Sequence, residues 1–196
     1  MSVLYVDLVE QTTDLLIQAG DTDDSVTCIS CGAHIGQQVQ HAEGIKLFKP
    51  LLAVSTSTSH SESYDLRQWF AGQLIAAIES TGARRFYTNT VPLSIWVFMP
   101  NLTYASSDRD PQPTEGVKVL YRVVDAEAHA ERDKLGSSKV HTEDLGLPSV
   151  LEQKLLNVLN EANEALPTPA ASFMGWNTAY LPRFNTWLTK TLSNVT

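Results

Sequence analysis

Between Pro148 and Pro167 this chain has room for one kind of element. Pro148 discourages helix before it, Ser149 can cap, and Glu152, three residues on, can reach back to the cap's own N–H. Leu151, Leu155, Leu159 and Ala162 then recur every three or four residues, with Glu152, Lys154, Asn160 and Glu161 turned elsewhere. Pro167 and Pro169 stop the helix, and an aromatic-rich tail follows with Phe173, Trp176, Tyr180 and Phe184. A helix with one apolar stripe must bury it, and a sheet is the expected partner.

A second helix is expected from about Asp65 to Ser80, with Leu66, Phe70, Leu74 and Ile78 at four-residue steps and Gly82 where a stop belongs. Alternation at Val3 to Leu8 reads as a strand, and Leu15 to Gln18 as a short second element. Val26 to Cys28 reads as a strand end running into a tight turn, and Ile45 to Val54 as one long strand that Pro50 confines to an edge or bulge. Arg84–Thr88, Leu93–Met99 and Gly116–Val124 are β-type runs. LSIWVFM and VKVLYRVV are apolar enough for central strands, with Trp96 in the core. The acidic stretch Asp21 to Asp24, the tract Ser55 to Ser63 and the stretch Tyr104 to Thr114 read as loops. Asp125 to His141 reads as a short helix plus a surface loop. The expectation is an α+β fold in which a curved antiparallel sheet is covered on one face by two main helices, with a CxxC knuckle at one edge. Residues 1–196 are expected to form a single domain.

Composition narrows the function. A net charge of −8 counts against a general nucleic-acid binder, which carries a basic footprint. Two cysteines are too few for a disulfide-stapled scaffold. The early acids of MSVLYVDLVE do not suit a signal peptide, and no apolar run approaches the ~20 residues of a spanning helix. Cytoplasm and nucleus are the expected compartments.

Cys28-Ile-Ser-Cys31-Gly32 has metal-site spacing: two thiolates on a turn can grip one side of a tetrahedral zinc ion. It supplies half a ligand set, and His34 and His41 stand at no familiar spacing to complete it. Half of a split zinc knuckle, plain structural cysteines and a redox dithiol all remain open. No nucleophile elbow, phosphate loop, zinc-protease motif or dinucleotide fingerprint is present, and Asp108 and Asp110 read as turn residues. Phe70 lies on the apolar stripe. Trp69, one residue off it, is expected to be partly exposed, as an interface anchor would be.

The ordered blocks CISCG, IKLFKPLLAV, RQWFAGQLIAAIESTGARRF, LSIWVFMPNLTYASS, EGVKVLYRVV and LPSVLEQKLLNVLNEANEALP, with GWN and YLPRF behind, resemble the HECT-like E2-binding protein family over roughly residues 27–184. The resemblance implies a ubiquitin-ligase-like protein that accepts ubiquitin from E2 conjugating enzymes. It also implies a partner and inhibitor of the endonuclease that cleaves pre-mRNA before polyadenylation. It would place E2 contact around Ser61 to Gln73, with Trp69, Phe70 and Gln73 as partner-binding residues, and the HECT-like region over 147–184. Family members carry an N-terminal half with another CxxC, so the chain resembles a C-terminal half. Zinc at Cys28 and Cys31 would then be completed by ligands outside it. A HECT ligase carries ubiquitin as a thioester on a cysteine near its C-terminus, and here no cysteine follows Cys31. The expected role is therefore protein interaction, with a non-catalytic scaffold or regulator of the 3′-end endonuclease as the alternative.

Overall fold

A computed structural model describes residues 4–7, 17–19, 24–39, 44–55, 61–105, 113–124 and 141–184. Readings that fall on Asp21 to Asp23, His41, Asp108, Asp110 and residues 125–140 lie outside the described residues. Contacts divide the chain into two compact units, Met1–Asp65 and Leu66–Thr196. The strands form three sheets rather than one.

In the first unit, β1 (Leu4–Asp7), β2 (Ile17–Ala19), β3 (Ser25–Cys28), β4 (His34–Gln38) and β5 (Gly44–Leu47) make an antiparallel sheet in the order β1-β5-β4-β3-β2. Val26, Ile35, Ile45 and Leu47 form its core, with Cys28 and Leu52 packed against it. The single strand expected over Ile45 to Val54 is broken. Pro50 sits in a 3-10 turn at Lys49–Leu51, where its fixed φ suits the bend and its missing N–H costs no ladder bond. The strand before that turn lies between β1 and β4, so it is not an edge. After the turn, β6 (Ala53–Ser55) pairs antiparallel with β7 (Ser61–Ser63), so both ends of the serine-rich tract join a ladder instead of a loop.

The second unit begins with α1 (Leu66–Thr81), one residue from the expected span at each end. Gly82 N–H bonds Ile78 O at 2.8 Å to close it. β8 (Arg85–Tyr87), β9 (Leu93–Tyr104), β10 (Thr114–Val123) and β11 (Thr142–Asp144) follow, then α2 (Ser149–Glu164), a short α3 (Thr168–Ala171), β12 (Ser172–Phe173) and β13 (Trp176–Pro182). The sheet order is β11-β8-β9-β10-β13-β12, antiparallel except for the parallel pair β11 and β8. β9 and β10 are central, as their apolar runs require. The tail after Pro169 is not mere aromatic filling: Met174 (φ 48°) and Gly175 (φ 78°) turn the chain so that β13 runs back as the third central strand. Two consecutive positive φ values mark the type I′ hairpin turn.

Alternation assigns the faces. Ile95, Val97, Val117, Val119, Tyr121, Ala179 and Leu181 point inward and are buried, with Leu151, Leu155 and Leu159 of α2 and Phe70 and Leu74 of α1. Tyr121 Oη–H donates to Asn160 Oδ1 at 2.9 Å, fixing α2 over this face. Burial, then the charge of Glu164, push the Tyr121 pKa up to about 12, so its hydroxyl stays a donor. Asn163 Nδ2 donates to Ala171 O and Thr178 O, tying the end of α2 to the chain that returns as β13.

One expectation about α2 fails. Pro148 is the N-cap, and no side chain caps the helix. Glu152 does not turn to solvent or reach back to the cap; it is 2% exposed. Its Oε1 accepts from Asn89 N–H at 3.2 Å, and its Oε2 accepts from Thr90 and Val91 N–H at 2.7 and 2.8 Å. Three backbone donors converging from the β8–β9 turn outcompete the single N–H of Ser149, the cap expected from sequence.

Candidate functional site

The CxxC turn joins β3 to β4, one strand in from the sheet edge at β2. Gly32 N–H donates to Cys28 O at 2.8 Å and Cys28 N–H to Ala33 O at 2.9 Å, which closes the turn. The backbone N–H groups of Cys31 and Ser30, and then the Cys31 thiol, hold the Cys28 thiol below its ordinary pKa, against a smaller upward pull from burial. Such N–H···S contacts favour a thiolate, the form a metal ligates. Cys28 is half-buried and Cys31 exposed, and neither is in a disulfide. Among the described residues no third histidine, cysteine or carboxylate joins them. Iodoacetamide should therefore label Cys28 with an apparent pKa below that of an unperturbed cysteine, because the reactive thiolate persists to lower pH. Peptide mapping of alkylation rates against pH checks this, and a midpoint at or above the unperturbed value removes the N–H···S account.

The predicted contact residues on α1 are not equally available. Phe70 is 0% exposed, as the stripe implied, but Trp69 is 7% exposed rather than open to solvent. Its ring stands edge-on to Phe70 at 5.1 Å. α1 buries Trp69, Phe70 and Ala71 together because it packs against both β13 and α2, which widens the apolar arc beyond one stripe. Arg67 pairs with Glu161 across the two helices at 3.2 Å. Gln73 stays half-exposed.

The outward face of the six-stranded sheet carries an array of side chains that periodicity did not reveal. Trp96 is not core: it lies on this face, half-buried, between Phe98 (5.3 Å) and Trp176 (6.3 Å), all edge-to-face. Phe98 meets Phe173 at 6.1 Å, and Tyr104 meets Tyr180 at 5.6 Å. Three cations lie over these rings. Arg85 is 4.8 Å from the Trp96 centroid, Arg122 is 4.4 Å from Trp176, and Lys118 sits 5.5 Å from Phe98 and 5.6 Å from Tyr180. Register shifts on either side of Lys118 bend β9 and β10 there. Gly116 is required beneath Tyr104, since a Cβ would come within 2.5 Å of that ring. An unbroken apolar run such as LSIWVFM reads as buried on both faces, which hid this one. The usable signal was the pair of cations four residues apart on β10, Lys118 and Arg122, with Leu120 between them on the same face.

The stretch 147–184 supplies α2, α3, β12 and β13, which are scaffold and half of this aromatic face. It contains no thiol, so a thioester cannot form on it. No helix among the described residues is long and apolar enough to cross a membrane. No curated protein and no solved structure matches the chain. Residues 5–178, most of its length, match the family described as HECT-like ubiquitin-conjugating enzyme (E2)-binding. The chain belongs to that HECT-like E2-binding family.

Proposed function

We propose that this chain is an E2-docking module that takes part in ubiquitin transfer by recognition and not by carrying ubiquitin itself. The match of residues 5–178 to an E2-binding family carries the reading. The absence of any cysteine after Cys31 favours docking over a thioester relay. In this reading residues 61–73 form the contact segment. Gln73 lies on its surface, while Trp69 and Phe70 shape the helix beneath. Cys28 and Cys31 are two thiolate ligands of a zinc site whose other two ligands lie outside this chain. Zinc there would lock the β3–β4 turn and perform no chemistry on ubiquitin.

Calorimetry against a panel of E2 enzymes tests the docking. At least one E2 should bind saturably, and Gln73→Arg should weaken it by about fivefold or more with no change in melting temperature. No binding by any E2 would remove the function. Incubation with ubiquitin-loaded E2 should leave no reducible ubiquitin adduct on this chain, and such an adduct would restore a thioester ligase. Where docking fails but the 3′-end processing endonuclease binds, the scaffold reading takes its place.

A further inference from the structure

We propose that the outward face of the six-stranded sheet docks an acidic segment of a partner protein that also offers an apolar side chain. The reading is independent of where an E2 binds. It rests first on charge. Acids outnumber bases by 22 to 14, yet Arg85, Lys118 and Arg122 gather on one face, and among the described residues none is paired with a carboxylate. The rings hold each cation in place, so little side-chain freedom is lost when a carboxylate arrives. Arg122 Nε is shielded from solvent and has no hydrogen-bond partner, a desolvated cationic group that an incoming carboxylate would compensate.

The apolar requirement comes from the rim. Phe98 is 36% exposed, Phe173 46% and Met174 85%. Met174 occupies a positive-φ turn position that the backbone gives to Asn, Asp or Gly. Folding does not ask for methionine there. A flexible thioether beside Phe173 is suited to contact with a variable apolar surface.

Other occupants fit less well. Nucleic-acid bases stack on free ring faces, whereas these faces already hold the protein's own cations, and the tryptophans meet edge-on at 72°. A second copy in a two-fold dimer would set the same cations against one another.

The test uses the full chain and a fluorescein-labelled peptide of Asp and Glu residues around a central Leu-Phe pair. The controls are the same peptide with Asn and Gln for the acids, and oligouridylate. The acidic peptide should bind saturably, less tightly as salt rises, and more tightly than either control. Arg85→Glu with Arg122→Glu should weaken it roughly tenfold or more. Met174→Asn should weaken it severalfold while the melting temperature holds or rises, because Asn accepts the positive φ; that variant separates lost contact from lost fold. No binding to the unaltered chain, or affinity unchanged in both variants, overturns the proposal. So does tighter binding of oligouridylate that the same variants abolish, which would assign the face to RNA. Self-association in sedimentation that Met174→Asn removes would also overturn it, assigning the face to a second copy.

Discussion

Replacing Glu152 with alanine is expected to destabilise the second unit by about 3–5 kcal/mol, as much as emptying a core leucine site. The carboxylate is 2% exposed, and it is the acceptor for the N–H groups of Asn89, Thr90 and Val91. Without it, three donors in a turn whose Asn89 and Thr90 are exposed and whose Val91 is half-buried lose their acceptor. Each unsatisfied donor costs about 1–3 kcal/mol, reduced where water can enter. The turn has a second brace, Asn89 Nδ2–H to Asp144 Oδ2 at 2.6 Å, so it should loosen rather than detach. Glu152→Gln should cost less than alanine but remain damaging. Its amide oxygen can serve Thr90 and Val91, but its NH2 then opposes the Asn89 N–H. Urea denaturation of the three proteins measures the order. A glutamine variant as stable as the unaltered chain would show that charge and bidentate acceptance do not matter here.

Trp69→Ala should lower stability by about 3–5 kcal/mol, or a melting temperature drop of roughly 6–20 °C for a chain of this size. The ring is 7% exposed and packed edge-on against a fully buried Phe70. Any loss of E2 binding in this variant would therefore confound contact with unfolding. Gln73→Arg and Trp69→Ala should part company: the first should change binding alone, the second stability and, through it, binding. Thermal melts recorded beside the binding isotherms decide it. A Trp69→Ala protein that melts normally but binds no E2 would return Trp69 to the surface and overturn the buried assignment.

The two helices were legible because periodicity is local. Leu151, Leu155 and Leu159 mark the buried face of α2 whatever lies beneath, and the bounds Ser149–Glu164 follow from Pro148 and Pro167. The central strands β9 and β10 were legible for a similar reason, since runs so apolar must be surrounded. The CxxC turn was legible as spacing, and its N–H···S geometry follows from that spacing. Family membership also lay in the order of the blocks.

What needed the tertiary structure involves partners distant in sequence. Glu152 looked like half of a capping box because only local N–H groups are visible along a chain; its actual donors lie some sixty residues away. Trp69 looked exposed because a single stripe assumes one neighbour, and α1 has two. β13 was hidden because its ladder partners come from β10, and Trp96 looked like core because an apolar run does not say which of its faces is left uncovered. The sequence by itself determined which segments are helix or central strand, because those depend on a residue's neighbours along the chain. Only the tertiary structure decided which side of each segment meets another, and so gathered three cations and their rings onto one open face.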